Sequence, residues 1–146
     1  MIVPRFCFLV LGGFVATSLS GCAGASVTNS IEPVIELTMQ GAAEGGEPRA
    51  PSVTTATSEL AVLEGTISSP NPCYSFAAEI EADQNNLTVT LSGTQQAGMC
   101  IQILGAFRYQ ARITGLSTGT YPVTVVYRYP DTGWEQREFS LTLTIP

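Results

Sequence analysis

Tyr74-Ser75-Phe76-Ala77-Ala78-Glu79-Ile80-Glu81-Ala82-Asp83-Gln84-Asn85-Asn86-Leu87-Thr88-Val89-Thr90-Leu91 is the stretch from which the fold is read. Tyr74, Phe76, Ala78, Ile80 and Ala82 alternate with Ser75, Ala77, Glu79, Glu81 and Asp83. Successive side chains of a strand point to opposite faces, so the first set is expected to face a core and the second to face water. Asp83-Gln84-Asn85-Asn86 has the composition of a hairpin turn, after which Leu87, Val89 and Leu91 alternate with Thr88, Thr90 and Ser92.

Working outward, Leu60 to Ser68 reads as a further strand, stopped by Ser69-Pro70-Asn71-Pro72. Gly93 to Met99 turns the chain again. Ile101, Ile103, Phe107, Tyr109, Ala111 and Ile113 then share one parity, which predicts a long extended run with Gly105 as a bend or bulge where the strand changes sheets. Tyr129-Pro130-Asp131-Thr132-Gly133-Trp134 forms the last loop, and Phe139, Leu141, Leu143 and Ile145 give the closing strand. No segment carries a helical period. Short period-two segments separated by turn residues predict an all-β sandwich of about seven strands over residues 59–146.

Leu116-Ser117-Thr118-Gly119-Thr120-Tyr121, followed by Val123, Val125 and Tyr127, resembles the corner and next strand of immunoglobulin-like and fibronectin type III domains. The resemblance implies an antiparallel immunoglobulin-like sandwich in which the Tyr121 hydroxyl ties back to the corner backbone. Two features depart from that pattern: no Cys-Trp-Cys arrangement occupies the interior, and Pro122 removes one ladder donor.

The amino end reads differently. Arg5 gives a positive start, Phe6 to Ala16 is an almost uninterrupted apolar run, and the small residues Ser18, Ser20 and Gly21 close it, as in an export signal over residues 1–21. The run falls short of the about 20 apolar residues that a membrane-spanning helix needs. Leu19-Ser20-Gly21-Cys22 resembles the lipobox of bacterial lipoproteins. That resemblance implies cleavage before Cys22, a diacylglyceryl group on its thiol and an acylated amine. Two or more chains hold a protein stably on a bilayer where one anchors it marginally. Ala23 after the cysteine implies the outer membrane in an organism that has one. Residues 22–58, rich in Gly, Ala, Ser, Thr, Pro and Glu, read as a lipidated amino terminus and flexible tether, with Val34 to Met39 a candidate early or edge strand.

Composition narrows the chemistry. Six basic side chains stand against twelve acidic ones, an acidic balance that repels phosphate backbones and argues against nucleic acid as a partner. The chain has no histidine and no lysine. Ser-His-Asp and Cys-His catalysis, Schiff-base chemistry and histidine-ligated zinc are therefore absent from its repertoire. Nothing calls for a cofactor. With Cys7 lost in the signal and Cys22 lipidated, Cys73 and Cys100 remain. Outside the cytoplasm such a pair is most simply a disulfide, here a peripheral one near strand ends, and two isolated cysteines make a poor metal site.

Three surface features are candidates for recognition. Trp134, with Tyr129, Asp131 and Arg137, could form a binding loop for an envelope protein or a sugar face; otherwise the indole folds back over the open end of the sandwich. Glu79, Glu81 and Asp83 share one strand face, where alternate residues stand about 7 Å apart, too far for a closed site without a second cluster. Arg108, Arg112 and Arg128 could attract acidic glycans or lipid headgroups, or simply pair with that acidic stripe. The reading that follows is a membrane-anchored envelope lipoprotein with a non-catalytic binding or structural-accessory domain. The alternative is an inhibitor of exported proteases, since Pro130-Asp131-Thr132-Gly133-Trp134 faintly resembles a loop of chagasin-like inhibitors.

Overall fold

Alternation of apolar and polar residues gives eight strands: β1 (Val34–Ala42), β2 (Ser52–Ala56), β3 (Ala61–Ser69), β4 (Tyr74–Asp83), β5 (Asn86–Gln95), β6 (Gly105–Thr114), β7 (Gly119–Arg128) and β8 (Arg137–Ile145). The structure is a computed structural model and describes residues 32–42, 49–130 and 132–146. The expected export signal, Cys22, the Gly-rich centre of the expected tether and Asp131 lie outside the described residues.

The strands form two four-stranded sheets with orders β1-β6-β3-β2 and β4-β5-β7-β8. β1 packs over β4 at one side of the sandwich and β2 over β8 at the other. The all-β sandwich expected from the period-two pattern is therefore present, with eight strands instead of seven. Two of the eight, β1 and β2, come from the stretch expected to be a tether, and residues 59–146 supply six. β1 pairs with β6 from Val34↔Thr114 to Ala42↔Phe107, and β2 pairs with β3. Ile35, Leu37, Met39, Val53 and Ala56 pack against the core. The alternation from Val34 to Met39 marked β1 as a candidate edge strand, whereas the short β2 was hidden in the composition of the segment; β1 depends on a β6 edge far away in sequence and β2 on the adjacent β3.

A second departure concerns direction. β5 and β7 pair in parallel, from Leu87↔Val123 to Ser92↔Arg128, so the sandwich is not wholly antiparallel. The chain leaves β5, crosses to the other sheet as β6, and returns to lie beside β5 as β7. Local alternation carries no information on which neighbour a strand chooses. Pro122 precedes the first β5 pair at Val123, so its missing donor interrupts no pairing with β5.

The hairpin between β4 and β5 is as expected: Asp83 pairs with Asn86, leaving a two-residue turn in which Gln84 takes φ 54°. Tyr74 is buried, Phe76, Ala78 and Ile80 are half-buried, and Ala82 is exposed at the open end. Leu63, Ile67, Leu87, Val89, Leu91, Ile113, Val123, Val125 and Leu143 are almost fully buried between the sheets. Each such side chain contributes about 1.5–3 kcal/mol relative to exposure.

Two tyrosines share this core. Tyr109 of β6 and Tyr127 of β7 meet edge to face with centroids 6.0 Å apart, and their hydroxyls are 2.9 Å apart. Each buried hydroxyl thereby has a partner. Gly65 makes room for this: a Cβ there would lie 2.7 Å from the Tyr109 hydroxyl. Burial pushes the Tyr109 hydroxyl up to about 12 and Tyr127 higher still, the latter reinforced by Tyr109.

Candidate functional site

Strand directions sort the loops into two ends. The β3–β4, β5–β6 and β7–β8 connections meet at one end, whereas Glu32, the β4–β5 turn and the β6–β7 corner lie at the other.

At the first end Cys73 and Cys100 form the expected disulfide, with Cα atoms 6.1 Å apart. Both are partly exposed, as a peripheral bridge requires. It joins the start of β4 to the middle of the β5–β6 loop. The Asn71 side-chain oxygen accepts the Cys73 N–H at 3.0 Å, the Ser69 hydroxyl donates to the Asn71 carbonyl at 2.6 Å, and Gln96 N–H donates to the Cys73 carbonyl at 2.8 Å. The turn from Ser69 to Tyr74 thus holds the root of the loop by covalent and hydrogen bonds.

Ile101 and Ile103, expected inside a long strand, lie in this loop instead. β6 begins only at Gly105, and Met99, Ile101, Ile103 and Leu104 are 105%, 63%, 59% and 66% exposed. The sheet change falls within the loop, before Gly105. Shared parity misled because the chain is not extended there, and hydrophobicity alone does not distinguish a buried apolar run from an exposed one. What could have revealed it is charge: none occurs between Asp83 and Arg108.

The candidate binding residues separate. Tyr129 is buried, its hydroxyl donates to the Ser68 carbonyl, and its ring meets Tyr74 at 6.2 Å and Trp134 at 5.3 Å, both edge to face. Burial pushes its hydroxyl up, a shift opposed by the Arg137 charge. Trp134 is half-buried and packs against the core cluster, so the indole covers the end of the sandwich. The Thr132 hydroxyl donates to the Tyr129 carbonyl at 3.0 Å and accepts the Trp134 N–H at 3.2 Å, which orders the turn. Arg137 is exposed at the start of β8.

The expected pairing of Arg108, Arg112 and Arg128 with the acidic stripe does not occur. Arg108 and Arg112 are exposed on β6 in the other sheet, and Arg128 stands beside Ser92, at the far end of β7 from Glu81 and Asp83.

At the second end Tyr121 donates to the Ser117 carbonyl at 2.8 Å, the tyrosine corner that the sequence resemblance implied. An open cleft of about 810 Å³ lies beside it, lined among others by Glu32, Gln84, Leu116 and Tyr121. Among the described residues no group of three metal-ligating side chains is gathered, and no helix is long and apolar enough to cross a membrane.

Two four-stranded sheets closed over a tyrosine-containing core, with a disulfide stapling the loops of one end, define the molecule as a two-sheet β-sandwich protein. The chain belongs to the family of the ORF11 beta-sandwich domain, whose model matches residues 63–141. The match begins inside β3 and ends inside β8, so β1 and β2 lie outside it. No curated protein and no solved structure matches the chain.

Proposed function

We propose that this chain is an exported lipoprotein held on a membrane through Cys22, whose β-sandwich serves as a non-catalytic binding or structural-accessory module of the cell envelope. The observation that carries the reading is Leu19-Ser20-Gly21-Cys22 placed directly after an apolar run. The position of Glu32 supports it: the amino end joins the sandwich at the end opposite the disulfide-stapled loops, which leaves those loops free to meet a partner. A covalent staple is also at home in an oxidising compartment.

Intact-mass measurement on protein purified from membranes tests the anchor. The expected product begins at Cys22 and carries a diacylglyceryl group, and Cys22→Ser leaves the membrane fraction or accumulates uncut. A chain still beginning at Met1 with a free Cys22 thiol refutes it. For the binding role, envelope crosslinking followed by mass spectrometry is expected to capture a partner through the loop end. Crosslinks confined to the cleft end, or none above a control protein, refute that part.

A further inference from the structure

We propose that the Met99–Leu104 loop is a lipid-docking surface, inserting its apolar side chains into a bilayer while nearby arginines meet anionic headgroups. Four large apolar side chains exposed together on one loop are an unusual use of surface. Met99 is as exposed as in an extended chain, and Ile101, Ile103 and Leu104 are each more than half exposed. All four belong to the six-residue stretch Met99–Leu104 of the β5–β6 loop. Its root is fixed by the Cys73–Cys100 bond and by the bond from Gln96 to Cys73, which limits the ordering entropy that insertion would cost.

Size and shape favour a bilayer over a protein partner or a second copy. A stable protein interface engages about 20–30 residues on each side with complementary surfaces. This loop offers four exposed apolar side chains within six residues, and a bilayer accepts each apolar group as it comes and needs no matching shape. Charge points the same way. Gln96 and Gln102 are the loop's most polar side chains, and the uncharged stretch runs from Gln84 to Phe107. Arg108, four residues beyond Leu104, and Arg128, beside Ser92 on the neighbouring strands, are exposed near the same end. Arg137 lies at this end too, with Glu135 and Glu138 beside it, so the loop end is close to charge-balanced, whereas Glu32, Glu36, Glu59, Glu81 and Asp83 make the opposite end strongly acidic. Basic residues flanking an apolar tip suit the negative surface of a membrane containing anionic lipid.

The inference stands on the loop and does not need a lipid on Cys22. With that lipid present, the residues from Cys22 to Glu32 reach at most about 35 Å when extended. That matches the roughly 33 Å length of a ten-residue strand such as β4. The domain can therefore tip its loop end onto the bilayer that holds its amino terminus.

The test uses the full chain with Trp134→Phe, which keeps the contact with Tyr129, and a single tryptophan introduced as Ile103→Trp. It is reconstituted into phosphatidylcholine vesicles containing about 30 mol% phosphatidylglycerol, with and without brominated acyl chains. The control places the tryptophan at Thr142→Trp on the outward face of β8. Quenching of the loop tryptophan is expected to exceed the control at least about threefold and to fall to the control level when Met99, Ile101 and Leu104 are all changed to Ser. Arg108→Gln with Arg128→Gln is expected to remove the advantage of anionic over purely zwitterionic vesicles. Quenching no greater than the control overturns the proposal, whether emission is that of a water-exposed indole or is blue-shifted by contact with protein. A lipid on Cys22, where present, holds every variant at the vesicle alike, so a failure here leaves the anchoring proposal untouched; without that lipid the same difference between loop and control tryptophans reads the loop alone.

Discussion

Tyr109 and Tyr127 place two hydroxyls in the middle of an apolar core, a position that is tolerable only because each satisfies the other. Removing one should therefore cost more than removing both. Tyr127→Phe or Tyr109→Phe alone is expected to lower the unfolding free energy by about 1–3 kcal/mol, because the remaining hydroxyl is left buried without a partner. The double variant should lose clearly less than the sum of the two. Urea unfolding of the four proteins in a double-mutant cycle measures this, and strictly additive losses would show that the pair is not coupled. Both tyrosines were legible as inward-facing from their parity on Ile113 and Val125. Their meeting was not, because it joins strands of different sheets and depends on the space that Gly65 leaves.

At the scale of elements, the disulfide closes a loop with a sequence separation of 27. On the chain-entropy model such a closure contributes about 3–4 kcal/mol, so Cys73→Ser with Cys100→Ser is expected to lower thermal stability by about that amount while the far-UV circular dichroism stays β-rich. β1 and β2 give a sharper test of where the folding unit begins. A chain started at residue 59, where the alternating pattern alone would place the domain, lacks both strands and exposes the long edge of β6. It is expected to aggregate or to lose cooperative thermal unfolding, whereas a chain started at residue 32 keeps it. Equal cooperativity of the two would show that β1 and β2 are dispensable. The Tyr121 corner, the two-residue turn at Gln84-Asn85 and the pairing of Cys73 with Cys100 could be read from the sequence, because each is decided within a few positions of the chain or by elimination among few cysteines, but the place of Cys100 in mid-loop could not. The length of the β6 strand could not, since Ile101 and Ile103 carry the same apolar signal as Tyr109 and Ile113 and differ only in what surrounds them.

The whole molecule has a simple acid–base character. It contains no histidine, so no side chain with an ordinary value near 6.5 titrates around neutrality. At alkaline pH the buried tyrosines take over. Tyr109 is raised from 10.0 to about 12, and Tyr127 and Tyr129 are raised as well. The folded state thus holds protons that the unfolded chain releases. The contribution is fully present below about pH 10 and is lost as the pH climbs toward the raised values. Urea midpoints measured from pH 9 upward are expected to fall steadily above pH 10, less steeply in Tyr127→Phe. A midpoint independent of pH over that range contradicts the burial of these hydroxyls.

By itself the sequence determined the strand-forming alternation, the tyrosine corner, the pairing of Cys73 with Cys100, and the absence of histidine and lysine chemistry. Each follows from residue identity and short spacing. The tertiary structure decided that Val34–Ala42 and Ser52–Ala56 belong to the sandwich and that β5 and β7 run parallel. It also decided that Tyr129 and Trp134 turn inward while Met99 to Leu104 turn out. Those outcomes depend on which distant strand supplies an edge or a covering face, and an apolar side chain carries the same hydrophobic signal whether it finds that cover or not.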